Sequence, residues 1–154
     1  MLRVSKLTDY ATILLAQLAR EPEVLRPATE LAEATRLEPP TVSKVLKLLA
    51  TAGLVQSQRG VAGGYRLARP AARISIAEIV QAIDGPFGMT QCSAPAGQCS
   101  HEPHCAARLP WQRISQAIER VLAEISLADM VGGLPPGPPP SRRDAAGRID
   151  IHLA

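Results

Sequence analysis

A chain of 154 residues can bury a modest core in one or two small domains, and with Tyr10, Tyr65, Phe87 and Trp111 as its whole aromatic complement it favours helices packed through Leu, Ile, Val and Ala over an aromatic-rich sandwich. The formal charge of +3 is unevenly spread: residues 1–73 hold 11 Lys/Arg against 6 Asp/Glu and residues 74–154 hold 6 against 8, which makes the N-terminal half the one suited to neutralising phosphates. No run reaches the ~18–20 apolar residues of a membrane span and no signal-peptide pattern is visible, so a cytoplasmic, reducing setting is expected.

Leu7, Ala11, Leu14 and Leu18 recur at helical spacing, with Tyr10, Ile13 and Leu15 widening the stripe, and predict a first helix over 7–20 that Pro22 stops. Asp9 lies near its start, where a carboxylate suits the helix dipole; on the residues alone it reads as a capping or first-turn group. Pro27 suits the first turn of a short second helix over 28–35, with Ala28, Leu31 and Ala32 on its buried side. Two prolines are tolerable only in a first turn, so Pro39 and Pro40 open a third helix that runs to about Ala52, with Gly53 as its stop. Its apolar set is Val42, Val45, Leu46 and Leu49; the other face carries Thr41, Ser43, Lys44 and Lys47 without an acid. Two helices joined by a tight turn describe a helix-turn-helix, the alternative being a small helical bundle with a solvated basic face.

The segments LVQSQ and YRLAR alternate as short strands, joined by residues 59–64. A hairpin placed after a recognition helix is the wing of a winged helix. Gly60, Gly63 and Gly64 there permit positive φ and close approach of backbone to a phosphate, and Arg59 suits a narrow minor groove. Arg66, Arg69 and Arg73 extend the basic surface. Together these features favour DNA binding. Ser75 and Glu78 then form a capping-box pattern opening a linking helix, buried through Ile76, Ile79, Val80 and Ile83 and ended by Asp84-Gly85-Pro86.

All three cysteines, Cys92, Cys99 and Cys105, fall in one loop with the spacing C-x6-C-x5-C, and His101 and His104 lie between them. Clustered thiols in a reducing setting suggest metal more than disulfides, and thiolates suit iron–sulphur centres. A structural Cys3His zinc site and a metal-free thiol switch both stay open at this point. Beyond the loop, Trp111, Ile114, Ile118, Val121, Ile125 and Ala128 recur as the seam of one predicted helix from Ala106 to Val131, with Arg120 and Glu124 as an i,i+4 pair. The chain is too small to cover that seam, so a symmetric homodimer is expected. The expected organisation is a winged helix-turn-helix over 1–73, a linking helix over 74–89, a cysteine loop over 90–106, a dimerisation helix over 107–131 and a disordered Pro/Gly-rich tail over 132–154. The fold class is mainly α with a small β-hairpin wing. No nucleophile–base pair, phosphate-binding loop or cofactor fingerprint points to an enzyme.

The opening LRVSKLTDYA, the helix-turn-helix, the wing RGVAGGYRLARP, the segment ISIAEIVQAIDGP, the cysteine triplet and SLADM together resemble the Rrf-type winged-helix regulators over about residues 1–131. That family includes IscR-like and NsrR-like members, and the likeness is greatest to its Suf-system branch, regulators of iron–sulphur cluster assembly operons. The resemblance implies a homodimer on a palindromic promoter and a 2Fe–2S or 4Fe–4S cluster held by Cys92, Cys99 and Cys105. It also implies promoter contacts from Thr41, Ser43, Lys44, Lys47, Arg59 and the wing residues Gly60, Gly63, Gly64 and Arg66. IscR-like members place a histidine three residues after the third cysteine, where this chain has Arg108, which cannot ligate. NsrR-like members use an acidic residue of the partner's first helix, and Asp9 occupies that place, ahead of His104 and then His101. The function implied is a repressor of cluster-assembly genes that senses cluster status. A nitric oxide- or redox-responsive regulator, or one with a zinc or thiol loop, is the alternative.

Overall fold

The computed structural model describes residues 4–60, 62–90, 93 and 105–132. The expectations for Cys92, Cys99, His101, His104 and the tail from 133 onward lie outside these residues. The elements run α1 (Lys6–Ala19), α2 (Ala28–Thr35), α3 (Pro39–Thr51), β1 (Val55–Gln58), β2 (Gly64–Leu67), a 3-10 turn (Ala71–Arg73), α4 (Ile76–Asp84), α5 (Arg108–Glu124) and α6 (Leu127–Gly132). The described chain is mainly helical with one two-stranded antiparallel hairpin, as expected.

Ser5 caps α1 by accepting the Thr8 N–H at 3.1 Å, and the helix buries Ala11, Leu14, Leu15 and Leu18. Leu31 and Ala32 of α2 and Val42, Val45, Leu46 and Leu49 of α3 close on that stripe. Each fully buried Leu or Val in it contributes roughly 1.5–3 kcal/mol of transfer free energy. Between α2 and α3 the chain reverses through Arg36 in the left-handed conformation (φ 56°), and the Leu37 N–H donates to the Ala32 carbonyl at 3.1 Å. The two prolines occupy the first turn of α3, where no intrahelical donor is lost.

The hairpin register pairs Val55 with Leu67 and Gln58 with Gly64, which turns Val55 and Leu67 into the core. A third strand-like segment, which the sequence did not announce, steadies the wing. Arg26 and Tyr65 exchange both backbone hydrogen bonds at 2.9 Å. The Arg26 guanidinium is held in turn by Glu21 and Glu30.

One expectation is overturned. The periodicity predicts a single helix from Ala106 to Val131, but the chain breaks at Ile125–Ser126 and restarts as α6. Ile125 is extended, its carbonyl accepts the Ile76 N–H at 2.9 Å, and the Leu127 N–H donates to the Ile74 carbonyl at 2.7 Å. The break is encoded by a second capping box: the Asp129 carboxylate accepts from the Ser126 N–H and hydroxyl, while the Asp129 N–H donates back to Ser126 Oγ at 3.2 Å. Ile125 and Ala128 therefore do not continue the α5 seam, and Leu127 is fully buried instead. The expected Arg120–Glu124 pair is not among the ion pairs of the described residues; Arg120 Nε turns back to the Gln116 carbonyl at 3.4 Å.

Candidate nucleic-acid interface and cysteine loop

On α3, burial of Val42, Val45 and Leu46 fixes which side faces out, leaving Lys44 and Lys47 exposed and Thr41 and Ser43 half-buried at the margin. Arg59 is exposed at the mouth of the hairpin. An open depression of about 500 Å³ runs between them, lined by Thr29, Lys47, Ser57, Gln58 and Arg59 together with Gly63 and Gly64. Recognition helix and wing thus form one basic surface, as a groove-straddling reader requires.

The wing glycines divide by cause. Gly60 has φ 117° and open space around its missing side chain, so conformation requires it. Gly63 and Gly64 have no positive φ; crowding requires them. A Cβ on Gly63 would stand 2.3 Å from the Gln58 carbonyl, and one on Gly64 would stand 2.6 Å from the Arg26 backbone. Their service is to hold the hairpin shut and against the Arg26 segment.

The arginines divide as well. Arg66 Nε donates to Gln56 Oε1 at 3.2 Å across the strand pair and stays half-buried. Arg69, expected to extend the basic surface, is instead paired with Glu78 at 2.5 Å, tying the end of the wing to the first turn of α4. Burial would raise the Glu78 carboxyl, but hydrogen bonds from the Ser75 backbone and from Arg69, with the Arg69 charge, hold it below its ordinary value.

Of the loop, both roots are described. Met89 is held by its N–H donating to Ser115 Oγ at 3.2 Å, and Thr90 and Ser93 close a turn through the Ser93 N–H and the Thr90 carbonyl at 3.0 Å. At the far root, Cys105 is a free, half-buried thiol whose carbonyl accepts the Arg108 N–H at 3.2 Å. The near root therefore rests on α5 through Ser115, while the far root runs straight into the start of α5 at Arg108, seven residues and roughly 10 Å away along the helix. Asp9 is in the first turn of α1, exposed, its carboxylate without a hydrogen-bond or ion-pair partner among the described residues. Among the described residues alone, no three of His, Cys, Asp and Glu converge.

A helix-turn-helix followed by a hairpin, with one basic face across both, defines a winged-helix DNA-binding protein. The chain belongs to the Rrf2 family, whose model, described as an iron-dependent transcriptional regulator, matches residues 4–133. It is 34% identical over 136 residues to a protein of Mycobacterium tuberculosis named as an HTH-type transcriptional regulator, covering 88% of this chain and 84% of that one. Among solved structures it resembles CymR, the global cysteine regulator of B. subtilis, with a TM-score of 0.67 and 26% identity over 86% of this chain and 98% of that one. It also resembles T. potens IscR, with a TM-score of 0.65 and 29% identity over 85% and 87% of the two chains. The resemblance seen in the sequence therefore holds at family level, and the protein is a DNA-binding transcriptional regulator. No helix among the described residues is long and apolar enough to cross a membrane.

Proposed function

We propose that this regulator is a homodimer that carries an iron–sulphur centre and represses iron–sulphur cluster assembly genes according to the state of that centre. The observation that carries the reading is that the cysteine loop joins α5 at both ends, by the Met89–Ser115 bond and by running directly into Arg108, and that α5 leaves Trp111, Ile114 and Val121 uncovered. The donor set fits the group: thiols at Cys92, Cys99 and Cys105, with the unpaired Asp9 carboxylate of the partner chain as fourth ligand and His104 as its substitute. When bound, such a centre supplies redox and ligand-exchange chemistry that responds to iron, oxygen or nitric oxide. The protein's own residues do the rest. Trp111, Ile114 and Val121 project from one face of α5, 37%, 44% and 55% exposed, with Ile118 between them, and present that stripe to a second copy. Thr41, Ser43, Lys44 and Lys47 enter the major groove, while Arg59, on a loop kept tight by Gly60, Gly63 and Gly64 and braced by Arg66, reaches the minor groove.

The test is the visible spectrum of protein purified without oxygen, with iron and sulphide counted per chain. A brown protein containing both, bleached by Cys99→Ala, is expected, and electron paramagnetic resonance then separates 2Fe–2S from 4Fe–4S. A protein that stays colourless after reconstitution with iron and sulphide overturns the cluster reading. The likeness to CymR, a cysteine regulator by name, favours a second reading in which the loop thiols answer a thiol or metabolite signal without iron. A free-thiol count that falls after mild peroxide in metal-free protein, with promoter affinity changing in step, supports that reading.

A further inference from the structure

Among the described residues two polar side chains are buried, Thr8 at 2% and Ser115 at 3% exposure. They sit on different helices, α1 and α5, yet both bond to the same short stretch of chain. Thr8 Oγ1 donates to Asp84 Oδ2 at 2.8 Å, and Ser115 Oγ accepts the Met89 N–H at 3.2 Å. Asp84 is the last residue of α4 and Met89 is five positions on, three before Cys92. The stretch between them contains Gly85 with φ 83°, Pro86 and Gly88, and no regular element.

Hydroxyls enter a core of Leu, Val and Ile at a cost that only a made hydrogen bond offsets. At Thr8 the hydroxyl is supplied from both sides, since Ser5 Oγ donates to it at 3.2 Å while it donates to Asp84. α1 needs no such side chain for its own folding, because its cap is Ser5 and the stripe beside Thr8 is already apolar. At Ser115 the neighbouring turns of α5 offer Ile118 and Leu122, so an alanine or a larger apolar group is what packing alone would select. What the two hydroxyls share is the entry to the cysteine loop.

We infer that Thr8 and Ser115 are positioning residues that fasten the entry of the cysteine loop to the DNA-binding domain on one side and to the dimer helix on the other, so that a change in the loop reaches both. Thr8 precedes Asp9 by one residue on α1, so the same helical turn carries the latch and the proposed ligand to the partner. A shift at Cys92 pulls on Met89 and Asp84, and through Thr8 on α1, which packs directly on the recognition helix α3. This inference rests on the loop being the sensing element, as proposed above.

The experiment compares the full-length wild type, Thr8→Val, Ser115→Ala and the double variant, each metal-free and each reconstituted with iron and sulphide. Promoter affinity is measured at fixed salt, and amide hydrogen exchange over residues 84–90 is measured in the metal-free samples. Wild type is expected to show a metal-dependent affinity ratio of about fivefold or more. The double variant is expected to lose most of that ratio while its metal content and its binding to random DNA stay unchanged, and exchange at Met89 is expected to rise about tenfold. Thr8→Ser, which keeps the hydroxyl, is expected to restore the ratio where Thr8→Val loses it. A wild type with a ratio of one overturns the sensing reading and this inference with it. A wild type with the ratio intact and a double variant that keeps it, or unchanged Met89 exchange, overturns this inference alone.

Discussion

Ser75 and Ser126 face each other as an antiparallel bridge, and each is at once the cap of the helix that follows it. Ser75 caps α4 in a reciprocal box with Glu78, and Ser126 does the same for α6 with Asp129. Helix α6 is thereby pinned beside the start of the linking helix, with Leu127 seated in the core of the DNA-binding half. Replacing the Ser126 hydroxyl leaves the Asp129 N–H without its acceptor. Ser126→Ala is expected to cost about 1 kcal/mol of unfolding free energy, read from a urea titration with an unchanged slope. No change would mean that the bridge alone holds α6.

Both boxes depend on an ionised carboxylate. Glu78 is held below its ordinary value of 4.5 by Ser75 and Arg69 against a burial effect that would raise it. Asp129 is held below 3.8 by hydrogen bonds from Ser126. A carboxylate whose folded pKa is depressed binds fewer protons in the folded state, so its stabilisation is complete above the unfolded value and drains as pH falls through the folded one. The midpoint of thermal unfolding should therefore decline as pH drops below about 4.5. In Glu78→Gln the decline should be shallower from a lower starting point, and an identical slope would remove Glu78 from the acid response.

Most of the DNA-binding half was legible in the sequence because its signals are local. Apolar spacing placed α1 and α3, the paired prolines placed the start of α3, and glycines bracketed the wing. What escaped depends on contacts distant in sequence. The Arg26–Tyr65 bridge joins a loop to a strand about forty residues on, and nothing in VLRP announces it. The α5–α6 break is written locally, in the Ser126-to-Asp129 pattern, but the apolar repeat runs across it and hides it. Arg69 read as surface charge because its partner Glu78 is in the next element.

Crowding at Gly64 gives a test that separates packing from conformation. A methyl there meets the Arg26 backbone, which the Arg26–Tyr65 bridge holds in place. Gly64→Ala is expected to destabilise by about 1–3 kcal/mol and to raise hydrogen exchange at the Arg26 and Tyr65 amides before the rest of the domain. Full stability in that variant would show that the loop before α2 yields freely.

The stripe on α5 predicts the oligomer. Ile114 and Val121 stand 44% and 55% exposed on one face, and a carboxylate at either position would be buried against the twin stripe of a second copy. Ile114→Glu and Val121→Glu are each expected to weaken the dimer by about tenfold or more, in sedimentation at micromolar chain, with helix content unchanged. A dimer of unaltered strength in both would place the interface elsewhere.

The proposed recognition surface divides into two kinds of contact that salt can tell apart. Lys47 lines the depression beside the wing root as a single mobile ammonium, the chemistry of a phosphate contact. Arg59 is exposed at the mouth of the hairpin, before a turn that Gly60 bends and Gly63 closes, and its planar guanidinium suits the narrow-groove contact proposed for it. Lys47→Ala should weaken promoter and random DNA alike and reduce the salt slope by about 1. Arg59→Ala should cost about 1–3 kcal/mol on the promoter and less on random sequence, because shape readout is lost only where the groove has that shape. Equal losses on both DNAs for Arg59 would make it a second phosphate contact. The discrimination would then have to come from Thr41, Ser43 and Lys44 on α3.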